Sequence, residues 1–132
     1  MDKNQVKILL VDDDPGMRSL LTTVLKDEGY NVITASDGQE GLQRARNETP
    51  NLIILDVTMP KLSGYKVARM LKFDTRFEHI PIIMQTAKDS EAEVQTGLNM
   101  GVDAYLTKPY DPADLLNKIA ELLNKEVEPV EV

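Results

Sequence analysis

Two rhythms of apolar residues alternate along this chain. Short unbroken runs such as Ile8-Leu9-Leu10-Val11 and Leu52-Ile53-Ile54-Leu55 have the pattern of strands covered on both faces. Between them lie longer stretches with apolar residues at helical spacing. The first of these, Met17, Leu20, Leu21, Val24 and Leu25, follows an i, i+3, i+4, i+7, i+8 stripe that predicts one helix face turned to a core. Asp14-Pro15 supplies its start, a cap residue and then a proline in the first turn, where the missing N–H is harmless. Gly29 supplies its stop. Asn31 to Ala35 reads as a second strand. Asp37-Gly38-Gln39-Glu40 resembles a capping box and opens a second helix, with Leu42 and Ala45 on its inner side.

Asn47 to Pro50 turns the chain into the third strand, which runs straight into Asp56 and is ended by Pro60. A loop closed by Ser63-Gly64 leads to a third helix through Tyr65, Ala68 and Leu71. Pro81 introduces the fourth strand, Ile82-Ile83-Met84-Gln85-Thr86. Ser90 with Glu93 predicts a fourth helix that ends near Gly101, and Ala104-Tyr105-Leu106-Thr107 reads as the fifth strand. Asp111-Pro112 repeats the earlier helix start, and Leu115, Leu116, Ile119, Leu122 and Leu123 make the last amphipathic stripe. Strand and helix thus alternate five times. This predicts an α/β fold, a flavodoxin-like doubly wound parallel sheet of five strands flanked by five helices, because parallel neighbours need right-handed helical crossovers. Residues 1–125 form one domain in this reading, and Glu126 to Val132 read as a tail or linker stub.

Composition narrows the chemistry. A chain of 132 residues is long enough for one core without staples. It has no cysteine and a single histidine, His79, which removes thiol chemistry, cysteine zinc sites and histidine clusters. His79, in a loop beside Pro81, reads as an exposed histidine rather than a phosphodonor. No apolar run reaches bilayer-spanning length, and the start Met1 to Gln5 lacks the features of a secretion signal, so a cytoplasmic location is the default expectation. A net charge of −7 argues against direct contact with nucleic acid or an anionic membrane.

Polar residues recur at one kind of place, the carboxyl ends of four of the five strands. Asp12 and Asp13 follow the first strand, Asp56 ends the third, Thr86 the fourth, and Lys108 follows the fifth. Ligands of open α/β sheets collect at such ends. Asp56 cannot belong to the interior of so apolar a strand, since an unpaired buried charge is too costly. In the doubly wound order 2-1-3-4-5 the first and third strands are adjacent, about 4.8 Å apart, so Asp12 or Asp13 can approach Asp56. Carboxylates 4 Å apart repel by roughly 4 kcal/mol at an effective dielectric near 20. A cation is the natural relief, and an all-oxygen set this small favours Mg²⁺ over Ca²⁺. Lys108 and the Thr86 hydroxyl offer a point charge and a donor for phosphoryl oxygens. Asp56, central between them, is the candidate nucleophile for an aspartyl phosphate. Asp14 is assigned to helix capping.

Leu10-Val11-Asp12-Asp13-Asp14, Asp56-Val57-Thr58-Met59-Pro60 with Gly64, Thr86-Ala87, and Lys108-Pro109 together resemble the receiver domain of two-component response regulators, of the chemotaxis-regulator kind. The resemblance covers nearly the whole chain, and the strand order is likewise an expectation carried by it. It implies that Asp56 takes phosphate from a phosphohistidine on a sensor histidine kinase or histidine phosphotransfer protein. It implies Mg²⁺ on Asp13, Asp56 and the Thr58 main-chain carbonyl, with Asp12 acting mainly through a water. Thr86 and Lys108 would hold the phosphoryl oxygens. Thr86 would then move, Tyr105 would turn inward, and the face made by the fourth helix, fifth strand and fifth helix would change for a downstream protein target or a covalently linked output domain. Lys108-Pro109 is similar to the family's cis-proline junction. Thr58 and Lys88 stand at positions that tune phosphate lifetime in the family.

Two other classes of function fit less well. A Mg²⁺-dependent phosphohydrolase with an aspartyl nucleophile needs a second acid for the leaving group and usually a cap, for which no insertion is large enough. An interaction module that has lost phosphorylation would not need the intact Asp, Thr and Lys set. The sequence carries no output domain, which favours a stand-alone regulator over an excised domain. Lys61, Lys66, Arg69, Lys72 and Arg76 bias the third-helix region positively, as a solvated face or as a docking patch for an acidic partner.

Overall fold

A computed structural model of the chain describes residues 2–59, 61–86 and 101–127. Its frame is a parallel sheet in the order β2-β1-β3-β4-β5, with β1 Lys7–Val11, β2 Asn31–Ala35, β3 Leu52–Asp56, β4 Ile82–Thr86 and β5 Ala104–Thr107. The described helices are α1 Pro15–Asp27, α2 Gly38–Glu48, α3 Gly64–Lys72 and α4 Pro112–Val127. These are the first, second, third and fifth of the five helices expected. The fourth, predicted to open at Ser90, lies outside the described residues. The last helix runs through Val127, two residues past the boundary drawn at 125, a normal margin for a fraying terminus.

Local chemistry accounts for the helix starts. The Asp14 side chain accepts from the amides of Gly16 and Met17, and that of Asp37 accepts from the amide of Glu40. Glu40 does not reach back to Asp37 as a simple capping box would. Its Oε1 instead accepts from the Ser36 amide, 2.7 Å away, and from the Ser36 hydroxyl.

β3 is buried along its whole length, and its side chains divide between two cores. Ile53 and Leu55 join Val67, Ala68 and Leu71 of α3 and Leu42 and Ala45 of α2 on one face. Leu52 and Ile54 join Leu21 and Leu25 of α1 and Leu115 and Ile119 of α4 on the other. Truncating Ile54, fully buried at the centre, to alanine is expected to cost about 2–5 kcal/mol, read as a lower urea midpoint.

The α1 stripe is narrower than its spacing suggested. Leu21 and Leu25 are buried, Met17 and Val24 are partly covered, and Leu20 is 52% exposed. Leu20 sits about 100° around the helix from Leu21, beyond the arc that α1 lays on the sheet. Among the described residues no helix is long and apolar enough to cross a membrane.

Candidate functional site

The register of the sheet gathers the strand ends. Val11 pairs with Leu55, and Asp56 pairs with Gln85, so the turn after β1, the end of β3 and the end of β4 lie side by side. Asp12, Asp13 and Asp56 each offer an oxygen within 4.8 Å of the other two. Asp12 is fully buried, Asp56 nearly so, and Asp13 exposed. Such a set, buried below and open above, fits a hard cation that keeps some of its water.

Lys108 enters from the far side. Its backbone amide donates to the Thr86 carbonyl at 2.8 Å, and the Lys108–Pro109 peptide is cis. The Lys108 ammonium lies 3.1 Å from Asp56 Oδ2 and 3.5 Å from Asp12 Oδ2. Sequence reasoning placed Lys108 on the phosphoryl side and did not foresee its contact with Asp12.

The first acidic residue is further held by its own turn. Asp12 Oδ1 accepts from the Asp14 amide at 3.0 Å, and the Asp12 carbonyl accepts from Arg18 Nη1 at 2.7 Å. Asp56 is under opposed influences. Burial pushes its carboxyl above the usual aspartate value, the Lys108 ammonium pulls it down, and the Asp12 charge pushes it up again, with some relief from the Thr58 backbone. The net shift is upward. Lys108 is raised: burial opposes its charge, and Asp56 and Asp12 together outweigh that cost.

Thr86 is 1% exposed, and its hydroxyl has no hydrogen-bond partner among the described residues. A buried hydroxyl left unpaired costs about 1–3 kcal/mol. Tyr105 is half-buried against the core of the α2 and α3 face. It pairs with Met84 in register, which makes it the diagonal neighbour of Thr86 on the same side of the sheet. Thr58 lies in an exposed bend two residues beyond Asp56. Lys88 and the rest of 87–100 lie outside the described residues.

Three of the five basic residues near α3 are engaged within the chain, while Lys66 and Arg69 are exposed. Lys72 pairs with Asp103 at 2.9 Å and donates to the carbonyls of Glu78 and Ile80. Arg76 pairs with Asp74 and Lys61 with Asp37. His79 is exposed.

Sequence reasoning named Gly64 with the motif around Asp56 and Gly38 at a helix start, but it singled out neither Gln85 nor Tyr110. A Cβ on Gly38 would fall 1.8 Å from the Leu62 carbonyl oxygen, and one on Gly64 would fall 2.1 Å from that of Asp56. Both glycines therefore allow the loop after β3 to close against its surroundings. Gln85 is fully buried and accepts a 2.6 Å hydrogen bond from Tyr110. An amide in an otherwise apolar strand was the available signal for that pair.

The chain resembles several curated proteins and solved structures. Over 129 residues the chain is 45% identical to the probable transcriptional regulator ycf27 of Cyanophora paradoxa, covering 98% of this chain and 53% of that protein. It is 44% identical over 119 residues to the alkaline phosphatase synthesis transcriptional regulatory protein PhoP of Bacillus subtilis, covering 90% of this chain and 49% of that one. The chain thus spans about half the length of these curated relatives. Among solved structures, a CheY-like response regulator receiver domain protein from Methanospirillum hungatei superposes with a TM-score of 0.87 at 34% identity, covering 93% of this chain and 97% of that one. The family model for the response regulator receiver domain matches residues 8–120, from the first strand into the last helix, and the chain accordingly belongs to the receiver domains of two-component response regulators.

Proposed function

We propose that the chain is a phosphorylation-dependent switch in which Asp56 accepts a phosphoryl group from the phosphohistidine of a sensor histidine kinase or phosphotransfer protein. The observation that carries this reading is the lysine ammonium within 3.1 Å of Asp56 and 3.5 Å of Asp12, above an acidic cluster that includes Asp13. Transfer leaves the protein little to do beyond placement and charge neutralisation. An Asp56 oxygen attacks phosphorus, the bond from phosphorus to the donor imidazole breaks, and the imidazole leaves with the electron pair.

Asp13, Asp56 and the Thr58 carbonyl would hold Mg²⁺, with Asp12 acting through a water. The ion would supply charge neutralisation for the phosphoryl oxygens. Lys108 takes one oxygen and the Thr86 hydroxyl another, which gives that hydroxyl the acceptor it lacks among the described residues. Thr86 then moves toward the phosphate and Tyr105, its diagonal neighbour, turns inward. The face formed by β5, α4 and the predicted helix at Ser90 changes with them. Its reader is a downstream protein or a linked output domain. The relatives named as transcriptional regulators are about twice as long as this chain and suit the second arrangement. The setting is cytoplasmic, and this domain itself contacts neither nucleic acid nor membrane. Catalysis is limited to slow self-phosphorylation from small donors and slow loss of phosphate to water.

Lys108→Ala is expected to be labelled by a small acyl-phosphate donor with Mg²⁺ more slowly, by about tenfold or more, since the ammonium can no longer donate a charge-assisted hydrogen bond to the phosphoryl oxygen. It is also expected to lose the conformational response, measured as the change in Tyr105 environment by NMR on adding beryllofluoride and Mg²⁺. A full response in that variant would remove Lys108 from the switch.

A further inference from the structure

Gln85 is the second-to-last residue of β4 and stands in register with Asp56. Its side chain shares the α1 and α4 face with Ile83, the face opposite Thr86. A fully buried amide among Ile82, Ile83 and Met84 is costly unless bonded. One end is bonded, since Gln85 Oε1 accepts from the Tyr110 hydroxyl at 2.6 Å. The other end, Nε2, has no partner among the described residues. An apolar side chain would fill this place without that cost.

That bond holds the turn carrying Lys108. Tyr110 lies two residues past Lys108, packed against the core of the α1 and α4 face, and it precedes the Asp111 turn that begins α4. On the other side of the same turn, the Lys108 amide is tied to the Thr86 carbonyl. Two consecutive residues of β4 therefore grip the segment from 108 to 110 at two points. Burial, reinforced by the charges of Asp12 and Asp56, pushes the Tyr110 phenol well above its ordinary value, so it stays a neutral donor across the physiological range.

We propose that Gln85 and Tyr110 are positioning residues, a tether from β4 that sets the reach of the Lys108 ammonium over Asp56. This rests on the phosphoacceptor reading and adds a second link from β4 to the last helix, on the face away from Tyr105. The pair acts through Lys108 and touches no phosphoryl oxygen itself.

The test measures the labelling rate of Asp56 with a small acyl phosphate and Mg²⁺, and the thermal midpoint, in the 132-residue chain. The variants are Tyr110→Phe and the double variant Gln85→Met with Tyr110→Phe, each made with Lys108 present and as Lys108→Ala. Losing one buried hydrogen bond is expected to slow labelling in Tyr110→Phe roughly 3- to 10-fold. The double variant, with both partners made apolar, regains its midpoint but not its rate. With Lys108→Ala, Tyr110→Phe brings no further loss. The tether is overturned by an unchanged Tyr110→Phe rate, by a double variant that recovers rate together with midpoint, or by an equal loss in both Lys108 backgrounds. A parent protein that takes no phosphate, or that is labelled equally well as Asp56→Asn, sinks the phosphoacceptor reading and this inference with it. A parent labelled on Asp56 whose rate ignores Tyr110 removes the tether alone.

Discussion

Asp56→Asn is expected to take up no phosphate and to be more stable than the parent at neutral pH. The first half follows from the proposed role, since an amide is no nucleophile for phosphorus while the ionised carboxylate is. The second half follows from the electrostatics of the site. Burial, the largest influence, and the Asp12 charge together outweigh Lys108, so the Asp56 carboxyl sits above the ordinary aspartate value. The folded state then holds the Asp56 proton more tightly than the unfolded chain does. The stabilisation from that proton is fully present below about pH 4, the ordinary aspartate value, and is lost as the pH rises through the raised folded value. At neutral pH the ionised group counts against folding, and asparagine removes that charge while Lys108 keeps Asp12 as its partner. Urea midpoints in Mg²⁺-free buffer at pH 7 and pH 4 measure it. The advantage of Asp56→Asn is expected at the higher pH and shrinks at the lower. Normal labelling of the variant would falsify the acceptor assignment, and lower stability at pH 7 would contradict the balance of charge and burial.

Gly64→Ala is expected to cripple the site without touching any of its charges. The new methyl would lie 2.1 Å from the Asp56 carbonyl oxygen, 2.9 Å from its carbon and 3.0 Å from the Val57 Cα. Every one of those atoms is backbone, so no side chain can swing aside. The Gly64 amide also donates to the Val57 carbonyl at 3.0 Å, closing the loop that carries Thr58. Relief must come from moving the end of β3 or the start of α3, at a cost of about 1–3 kcal/mol or more. A displacement near 1 Å at a reacting group lowers rates by about 100-fold. Labelling measured well below the unfolding midpoint separates this effect from lost stability. Labelling at the parent rate would show that the loop can yield without disturbing Asp56.

The order of elements was legible because each is announced by local chemistry. Ile8 to Val11 and Leu52 to Leu55 carry no polar residue, which suits only strands covered on both faces. Asp14 and Asp37 cap their helices through side-chain bonds to amides two or three residues on. Placing Asp12, Asp56, Thr86 and Lys108 at strand ends needed only that strands end where apolar runs end. The resemblance to receiver domains then supplied the strand order, which the sheet follows.

Other features depend on groups far apart in the chain, and these the tertiary structure alone decided. Leu20 falls outside the packed arc of α1, because the width of a buried stripe is set by the surface beneath the helix. Lys72 is spent on Asp103 and two carbonyls rather than on a partner. Lys108 bridges Asp12 and Asp56 across 96 and 52 residues of sequence, and Gln85 meets Tyr110 only because β4 and the turn after β5 are neighbours. Periodicity and capping are read within a turn or two of chain. Charge balance, close backbone approaches and buried polar pairs are properties of distances in space, which exist only once the sheet has brought its strand ends together.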